Sequence, residues 1–400
     1  MRAKVLVLGG NFGGLTAALA VKHELHDDVD VTVVSARDYF LFTPSLIWLP
    51  FGKRTAKGIT FPVGPTFEKA GVDFVVDAAE MVDPVAHTVV TASGAVHRYD
   101  YLVISTGARN RPEAVDGLLE NTNTITTLDA AIATGEAWRA FLQAPGDIAV
   151  GATQGASCFG AAYEFLFNTS YQLRKAGLKD RVKLSYVTAE PFLGHFGIGG
   201  LPHGEALLGM FLKKEGIEHH TGVSLDCVDE GALVGSDGKK IPFSFAMIVS
   251  PFAGQDFLRS TPGLTNAGGF VDVRDTYQTT SWDDVYAVGL AAAVQVPWTT
   301  PTPVGVPKTG FPTERMAHVA ATNIAAQIRG GEPTEAQNFA DMAAVCIMDA
   351  GNNGVLILAD KMLPPRKHGV LVPGPQNHAF KVAFEKYYLW KMRGGYVGLP

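Results

Sequence analysis

The chain has 400 residues, of which 47% are hydrophobic and 18% charged, and its formal net charge is −6. This length and composition indicate a globular protein of two domains or more and exclude a largely disordered chain. Only three cysteines are present, which excludes a disulfide-stabilised scaffold. No apolar run reaches the roughly 18 residues that span a bilayer, and no signal peptide is predicted because the first strand runs directly into a glycine turn.

The first predicted elements form a βαβ unit. The run AKVLVL (residues 3–8) predicts a strand buried on both faces, and a glycine turn, a helix and the strand DVTVVS follow. The turn LGGNFGG matches G-x-G-x-x-G except that Asn11 replaces the second glycine. Free N–H groups at a helix N-terminus bind pyrophosphate, so a dinucleotide site is predicted here. Asn11 is acceptable because asparagine enters left-handed conformations more easily than most residues.

The end of the second strand argues against NAD at this site, and two later segments indicate FAD. This strand ends at Ser35, with Arg37 nearby, and not at the acidic residue that usually binds the ribose of NAD. A further strand is predicted within residues 98–108, ending in a Thr-Gly turn, and another within residues 281–294. They are similar to the second and third flavoprotein motifs, although Leu290 stands where an aspartate is usual.

A second βαβ unit is predicted from residue 147, with its next strand at 182–190. Its turn, GATQGASCFG, lacks G-x-G-x-x-G and carries Cys158 just before a helix. Because a helix N-terminus stabilises a thiolate, the pKa of Cys158 is predicted to be lowered; a buried structural cysteine is the alternative. Cys227, in VSLDCVDE, is predicted to fill the core.

The C-terminal region is predicted to contact a membrane. A stiff Pro-rich loop (296–310) precedes a predicted helix at 311–329, and residues 361–400 carry seven Lys or Arg against the single acid Glu385. The segment HAFKVAFEKYYLWKMRGG predicts a helix with one aromatic side, formed by Phe380, Phe384, Tyr387 and Tyr388. A basic aromatic helix on an acidic body indicates a peripheral contact with an anionic membrane and no nucleic acid. A helix docked on the core is the alternative interpretation.

Together these motifs resemble the sulfide:quinone oxidoreductases of the flavin disulfide-reductase-like superfamily, which also includes type II NADH dehydrogenases and the flavoprotein of flavocytochrome c sulfide dehydrogenase. The resemblance covers nearly the whole chain and rests on SARDYFLFTPSLIW, GATQGASCFGAAYEF, PFLGHFGIGG, GVPKTGF and CIMDAGNNGVLILADKMLPPR. It implies FAD on the N-terminal unit, a quinone as electron acceptor, and two redox cysteines, Cys158 and Cys346, at the flavin. Cys158 would capture sulfide, and Cys346 would face the flavin.

Two departures from the family pattern matter. Many members have a third cysteine where this chain has Thr126, and a histidine where it has Ala130. A two-cysteine variant of the chemistry is therefore implied. The flavocytochrome subunit attaches FAD through a cysteine near DYFLFTPS, and this chain has none there, so its FAD is expected to be non-covalent.

The expected fold is α/β, with two Rossmann-like nucleotide-binding-type domains in tandem and a C-terminal membrane-associating extension. Residues 1–110 and 266–330 are expected to form a discontinuous FAD domain. Residues 111–265 form the second domain, which carries Cys158, and residues 331–400 form the quinone and membrane region, which carries Cys346. Self-association into a homo-oligomer is left open.

The predicted catalytic residues are Cys158, Cys346, Glu164 and His195. Glu164 and His195 are acid–base candidates because HS⁻ must be generated and product protons removed; a salt-bridged glutamate and a surface histidine are the alternatives. Phe384 is predicted to stack on the quinone ring, and no metal-ligand spacing occurs. Lys308 is predicted to lie beside the flavin N1–C2=O. The predicted cofactor-binding residues are Gly9, Gly10, Asn11, Phe12, Gly13, Gly14, Ser35, Ala36, Arg37, Thr43, Ala79, Thr106, Gly107, Ala108, Gly289, Lys308, Thr309 and Gly310.

Two other functions are weighed against this prediction. One is a type II NADH:quinone oxidoreductase, in which Glu190 would bind the ribose of NADH. The other is a flavin redox sensor without turnover, which Thr126 and Ala130 keep open. Because both cysteines precede residue 347, deletion of residues 376–400 is predicted to spare flavin reduction by sulfide.

Overall fold

The computed structural model describes residues 2–399, so Met1 and Pro400, at the ends of the predicted domains, lie outside the described residues. The strands, in chain order, are β1 Ala3–Leu8, β2 Val29–Ser35, β3 Tyr39–Leu41, β4 Thr60–Pro62, β5 Asp73–Val76, β6 Ala79–Asp83, β7 Thr88–Thr91, β8 Val96–Arg98, β9 Tyr101–Ile104, β10 Arg109–Asn110, β11 Ile148–Ala152, β12 Leu184–Thr188, β13 Glu218–His220, β14 Leu225–Asp229, β15 Ala232–Gly235, β16 Lys240–Pro242, β17 Phe245–Val249, β18 Phe252–Ala253, β19 Val285–Ala287, β20 Ala344–Asp349, β21 Gly354–Ala359 and β22 Gly369–Pro373. The α-helices are α1 Phe12–Leu25, α2 Ala56–Ile59, α3 Gly64–Lys69, α4 Leu118–Asn121, α5 Leu128–Phe141, α6 Phe159–Lys175, α7 Gly204–Lys214, α8 Gly310–Ile328 and α9 Gln376–Gly394.

The first nucleotide-binding-type unit is a parallel sheet in the order β19-β9-β1-β2-β5. Its central strands are continuous apolar runs and are buried. Helix α1 packs on β1, β2 and β9, and α8 packs on α1. Strand β19 comes from the later of the two segments predicted for the FAD domain and pairs with β9 from the earlier one. A discontinuous domain requires this pairing, while its limits stay predictions.

The second unit is a four-stranded parallel sheet in the order β13-β12-β11-β17, with α6 packed on β11. The predicted fold class is thereby confirmed. Two predicted strands are shorter than expected. Of residues 98–108, Arg98 ends β8 and only Tyr101–Ile104 form β9. Of residues 281–294, only Val285–Ala287 form a strand, β19, which precedes a 3₁₀ turn, Gly289–Ala291. Gly107 and Gly289 have φ values of +68° and +67°, so the backbone leaves the extended conformation at both points.

The C-terminal region consists of the antiparallel sheet β20-β21-β22 and the helix α9, which packs on β20 and β21. Cys346 lies on β20, opposite Ile357 of β21. Among residues 2–399, no helix is long and apolar enough to cross a membrane.

The inner face of α9 is polar, and the prediction of a single aromatic side is wrong. Lys381, Glu385 and Tyr388 repeat at helical spacing and are all buried. The Tyr388 ring lies 5.4 Å from that of Phe42, inside the protein. Phe384, by contrast, is 41% exposed. The alternative interpretation, a helix docked on the core, is therefore correct for the inner face of α9. The outer face still exposes aromatic side chains, and its contact with a membrane stays a prediction.

Candidate active site

The first glycine turn needs glycine at two positions. Gly9 has φ +98°, and its N–H donates to the carbonyl of Val34 at 2.8 Å. A Cβ on Gly14 would lie 1.8 Å from the Gly9 carbonyl oxygen. The expected left-handed conformation of Asn11 is wrong, because its φ is −96°. Its side-chain oxygen instead accepts from Leu41 N–H at 3.0 Å and holds β3 against the turn.

Other predicted cofactor-binding segments converge on this turn. A Cβ on Gly10 would lie 3.4 Å from the Ser35 side chain, and a Cβ on Gly13 would lie 2.5 Å from Ser105 Oγ. A Cβ on Gly310 would lie 2.8 Å from the Phe12 ring. The ends of β2, β9 and β19 and the start of α8 thus surround the N-terminus of α1. Five other predicted residues continue these segments in sequence: Ala36, Arg37, Gly107, Ala108 and Thr309. Thr43 instead begins the 3₁₀ turn that follows β3, and Ala79 begins β6.

This cradle fits FAD. The first turn of α1 contains no acidic residue, so its free N–H groups face no competing carboxylate. Thr106 Oγ1 is buried and has no hydrogen-bond partner within the described part of the chain. A buried unpartnered hydroxyl beside a glycine cradle suits a polar cofactor that supplies the partner.

Lys308 is held by backbone carbonyls. Its amine donates to the carbonyl of Leu290 at 3.2 Å and to that of Ala292, and it lies 4.5 Å above the Phe270 ring. Burial lowers the pKa of Lys308 to about 7. Its predicted place beside the flavin stays a prediction.

The second glycine turn is covered by the protein's own chain. Gly155 N–H donates to the carbonyl of Pro303 at 2.7 Å, and Gly305 N–H donates to the carbonyl of Ala156 at 2.8 Å. A Cβ on Gly305 would lie 2.9 Å from the Ser157 Cβ. The Pro-rich loop therefore lies directly across the turn that precedes α6, where a second dinucleotide would need access.

Glu190 is not available to a ribose. Its carboxylate is fully buried and accepts from Phe196 N–H at 2.7 Å, Thr188 Oγ1 at 3.0 Å and Tyr186 OH at 3.1 Å. Burial raises the pKa of Glu190 to about 7 in spite of these donors. As the ribose-binding residue of a type II NADH dehydrogenase, Glu190 would have to accept hydrogen bonds from the ribose. Within residues 2–399, donors of the protein itself already occupy its carboxylate.

Cys158 caps the N-terminus of α6 and is half-buried. Its predicted acidity is wrong, because burial, together with the nearby Glu164 charge, raises the pKa of the thiol. The backbone N–H of Ala161 acts in the opposite direction, as expected at a helix N-terminus, but does not outweigh burial.

Cys346 belongs to the same electrostatic cluster. Its side chain is solvent-accessible, yet surrounding protein raises the pKa of the thiol to about 12, chiefly by desolvation and then through the charge of Glu164. Lys381 and Cys158 also act on Cys346. The fold thus brings together Cys158, Glu164 and Cys346 from α6 and β20, and both thiols are free.

Glu164 forms a buried ion pair with Lys381, a residue that sequence reasoning missed. The carboxylate is 6% exposed and the lysine 5%, and the amine donates to Glu164 Oε2. Burial outweighs the attraction of Lys381 and raises the pKa of Glu164 to about 7. Lys381 is one of the seven Lys or Arg residues from which membrane contact was predicted. The polar spacing Asn377, Lys381, Glu385 was the signal for a buried polar face.

A second missed residue, Asp349, links the elements that carry this cluster. Its buried carboxylate accepts from Trp48 Nε1 at 2.8 Å and from Asn168 Nδ2 of α6 at 2.9 Å, and it bonds His378 Nδ1 of α9 at 2.5 Å. These hydrogen bonds lower the pKa of Asp349 although burial opposes them. Asp349 therefore ties β20, which carries Cys346, to both neighbouring helices.

Two other buried pairs fix α9. Glu385 accepts from Arg54 Nε at 2.8 Å and from Ser45, and the Lys391 amine donates to Glu314 of α8 at 2.6 Å. The premise that residues 376–400 are separable from the redox site is therefore wrong. Their cations neutralise carboxylates inside the protein.

His195 lies apart from the thiols. It is 3% exposed, so the surface alternative is wrong, and its ring packs 5.0 Å from Trp298 and 5.3 Å from Phe192. Burial and the Arg366 charge lower the pKa of His195 to about 4. Its described contacts do not reach Cys158 or Cys346.

The remaining predicted residues occupy ordinary positions. Cys227 is half-buried on β14, 3.8 Å from Asp229 Oδ1, and therefore does not fill the core as predicted. Thr126, at the position of the third family cysteine, lies 3.3 Å from Thr124 Oγ1. Ala130 N–H donates to Thr127 at the start of α5. The ring of Phe384 lies 6.0 Å from Phe42, and its contact with quinone stays a prediction.

Comparisons with known proteins agree with the fold. Residues 3–318 match the family model "Pyridine nucleotide-disulphide oxidoreductase". The sulfide-quinone reductase of Aquifex aeolicus is 34% identical, covering 99% of this chain and 93% of that protein. The crystal structure of the sulfide:quinone oxidoreductase from the same bacterium superposes with a TM-score of 0.94, covering 98% of this chain and 92% of that one.

A likeness of fold extends further. NDH2 from Plasmodium falciparum in complex with NADH has a TM-score of 0.75 at 16% identity, covering 99% of this chain and 96% of that one. Identity at this level shows a shared fold alone, whereas the Aquifex comparisons match in both sequence and structure. The chain belongs to the sulfide:quinone oxidoreductase family of the pyridine nucleotide-disulphide oxidoreductases.

Proposed function

We propose that this protein oxidises sulfide and passes two electrons through FAD to a membrane quinone. The observation that carries the proposal is the cluster of Cys158, Cys346 and Glu164 beside a glycine turn that the chain itself covers. At this turn the chain blocks the access that a nucleotide would need, and it places a thiol there instead. Bound FAD supplies a two-electron carrier between the thiols and the quinone.

The sulfur chemistry balances with two cysteines. In the oxidised form that we propose, a sulfur bridge joins Cys158 to Cys346, whose thiols are free in the structure. Hydrosulfide attacks this bridge, a new S–S bond forms at Cys158, and the bridging S–S bond breaks. The products are a persulfide on Cys158 and a thiolate on Cys346. The bridge re-forms with one additional sulfur atom when the persulfide and thiolate together lose two electrons and one proton. Bound FAD would accept these electrons, and the quinone would be their final acceptor.

Glu164 is the better placed of the two proposed acid–base residues. Its pKa of about 7 lets it exchange protons at neutral pH, and its charge acts on both thiols. His195 stays neutral above a pH of about 4. We therefore assign proton uptake from sulfide to Glu164 and keep His195 as a neutral residue of the neighbouring loop.

Peripheral membrane association, non-covalent FAD and a quinone contact at Phe384 complete the proposal. The exposed rings of Phe380, Phe384 and Trp390 on the outer side of α9 support membrane contact. The proposed domain limits are 1–110 with 266–330, 111–265 and 331–400.

Anaerobic titration tests the function. Stoichiometric sulfide is expected to bleach the flavin absorbance, and an added quinone is expected to restore it over repeated cycles. Flavin that sulfide leaves oxidised would contradict the proposal. One reduction that quinone cannot reverse would favour the redox sensor instead. Acid precipitation should release the flavin into the supernatant, because no linkage holds it.

A further inference from the structure

A groove of about 410 Å³ lies along the outer side of the C-terminal half of α9. Lys386, Trp390 and Arg393 line it from the helix, and Gly58 and Tyr396 line it from neighbouring segments. The three helix residues repeat at i, i+4 and i+7, so they share one face. None of them belongs to the cluster around Cys158 and Cys346.

The cations of this groove differ from those of the inner face of α9. Lys381 and Lys391 are neutralised by buried glutamates. Within residues 2–399, by contrast, no carboxylate forms an ion pair with Lys386 or Arg393. Lys57 precedes Gly58 in the groove wall and is exposed. The region is thus locally basic in a chain whose net charge is −6.

Aromatic side chains form the apolar part of the groove. Trp390 is 54% exposed and Tyr396 43%, and their rings lie 5.0 Å apart. Lys69 lies 5.6 Å above the Tyr396 ring, and the Arg393 guanidinium lies 5.3 Å from the Phe61 ring. Tryptophan and tyrosine concentrate at the headgroup level of membranes, where one end of the ring is apolar and the other is wet.

We propose that this groove binds the phosphodiester headgroup of an anionic phospholipid. The inference rests on the proposed peripheral membrane association and deepens it, because it places the charge-selective contact at Lys386 and Arg393 rather than across the whole basic tail. The cations match the phosphate, and the exposed Trp390 and Tyr396 rings match the glycerol and upper acyl region of the same lipid. Free phosphate offers only the first of these matches.

Vesicle sedimentation tests the proposal with the full-length, FAD-loaded protein. Vesicles of phosphatidylcholine alone are compared with vesicles that also contain phosphatidylglycerol. The wild type is expected to bind the anionic vesicles more tightly, and K386Q/R393Q is expected to bind them roughly 30-fold more weakly, since each cation near the surface contributes roughly a fivefold factor. The matched control K213Q/K214Q removes two exposed cations of α7 and should bind like the wild type.

Further arms keep each outcome informative. K57Q/K69Q leaves α9 intact and should also weaken anionic binding, which covers the case that the α9 variant folds poorly. Inorganic phosphate should not compete at equal ionic strength, and competition by it would identify a free-phosphate site instead. Equal wild-type binding to both vesicle types, or equal losses in K386Q/R393Q and K213Q/K214Q, would overturn the inference. Sulfide-dependent flavin bleaching in the wild type tests the proposed function separately.

Discussion

The two glycine turns of this chain have the same architecture and opposite accessibility. Both follow the central strand of a parallel sheet and both precede a long helix, α1 or α6. The first turn leaves the helix N-terminus within a cradle of converging segments. The second is bonded to Pro303 and Gly305 and carries Cys158 at the helix cap. A βαβ unit therefore specifies a place for chemistry, and the segments that cover its turn decide which chemistry occurs there.

A methyl group added at matched positions of the two turns should have the largest and most different effects on FAD binding and stability. A Cβ at Gly14 would lie 1.8 Å from the Gly9 carbonyl, whereas a Cβ at Gly160, in the first turn of α6, would meet no atom within 4 Å. Gly14→Ala is expected to lose bound FAD and about 3 kcal/mol or more of folding free energy. Gly160→Ala should keep FAD and gain up to ~1 kcal/mol. Flavin absorbance per protein and thermal unfolding measure both, and FAD retention in Gly14→Ala would contradict the cradle.

Serine substitutions test the chemistry assigned to the second turn. Cys158→Ser and Cys346→Ser are each expected to lower sulfide-dependent quinone reduction by roughly 1,000-fold or more, because the nucleophile or its partner is lost. Cys227→Ser is the control on β14 and should retain wild-type turnover. All three should bind FAD, since none of the cysteines belongs to the first turn. Wild-type turnover in Cys158→Ser would contradict the assignment of thiol chemistry to the second turn.

Lys381→Met tests the buried pair behind the second turn. Removal of one partner leaves the Glu164 carboxylate uncompensated, so a loss of about 3–5 kcal/mol in the free energy of unfolding is expected. The pKa of Glu164 should also rise further. Lys213→Met removes an exposed cation and should change stability by less than ~0.5 kcal/mol. Denaturant titration of both variants compares them, and equal stabilities would show that the pair contributes nothing.

The pH dependence of flavin reduction sharpens the role of Glu164. With a pKa of about 7, this carboxyl is protonated below neutral pH and ionised above it, so its contribution as a base should grow as the pH rises through about 7. Glu164→Gln is expected to reduce the rate roughly 100-fold at pH 8 and to lose this rise. The titration of sulfide itself is common to both proteins, so the difference between the two profiles isolates Glu164. Identical profiles would assign the proton to another group.

NADH is expected not to support quinone reduction at all. The covered turn and the fully bonded Glu190 leave no place for its pyrophosphate or ribose at the second unit. Absorbance at 340 nm is expected to stay constant when enzyme, quinone and NADH are mixed, while sulfide starts quinone reduction in the same cuvette. Rapid NADH oxidation would restore the alternative function.

Local sequence patterns predicted the parts of the molecule that depend on local sequence. The apolar run of β1 and the glycines at 9 and 14 were sufficient for the first unit, and Cys158 was correctly placed before a helix. The acidity of its thiol was predicted in the wrong direction, because desolvation depends on what packs around Cys158 rather than on its neighbours in sequence. Lys381 and Asp349 were missed for the same reason, since Glu164, the partner of Lys381, and Trp48 and Asn168, two partners of Asp349, lie more than 100 residues away from them.

The ion pairs of α9 have a consequence for biosynthesis. Glu164 and Glu314 leave the ribosome well before Lys381 and Lys391, at a synthesis rate of roughly 5–20 residues per second. Until α9 emerges, each glutamate must remain hydrated or protonated, because an unpaired charge is costly to bury. The thiol cluster therefore cannot reach its final packing while the chain is being made. Nascent chains that stop short of α9 would present these open carboxylates to the cell's quality control.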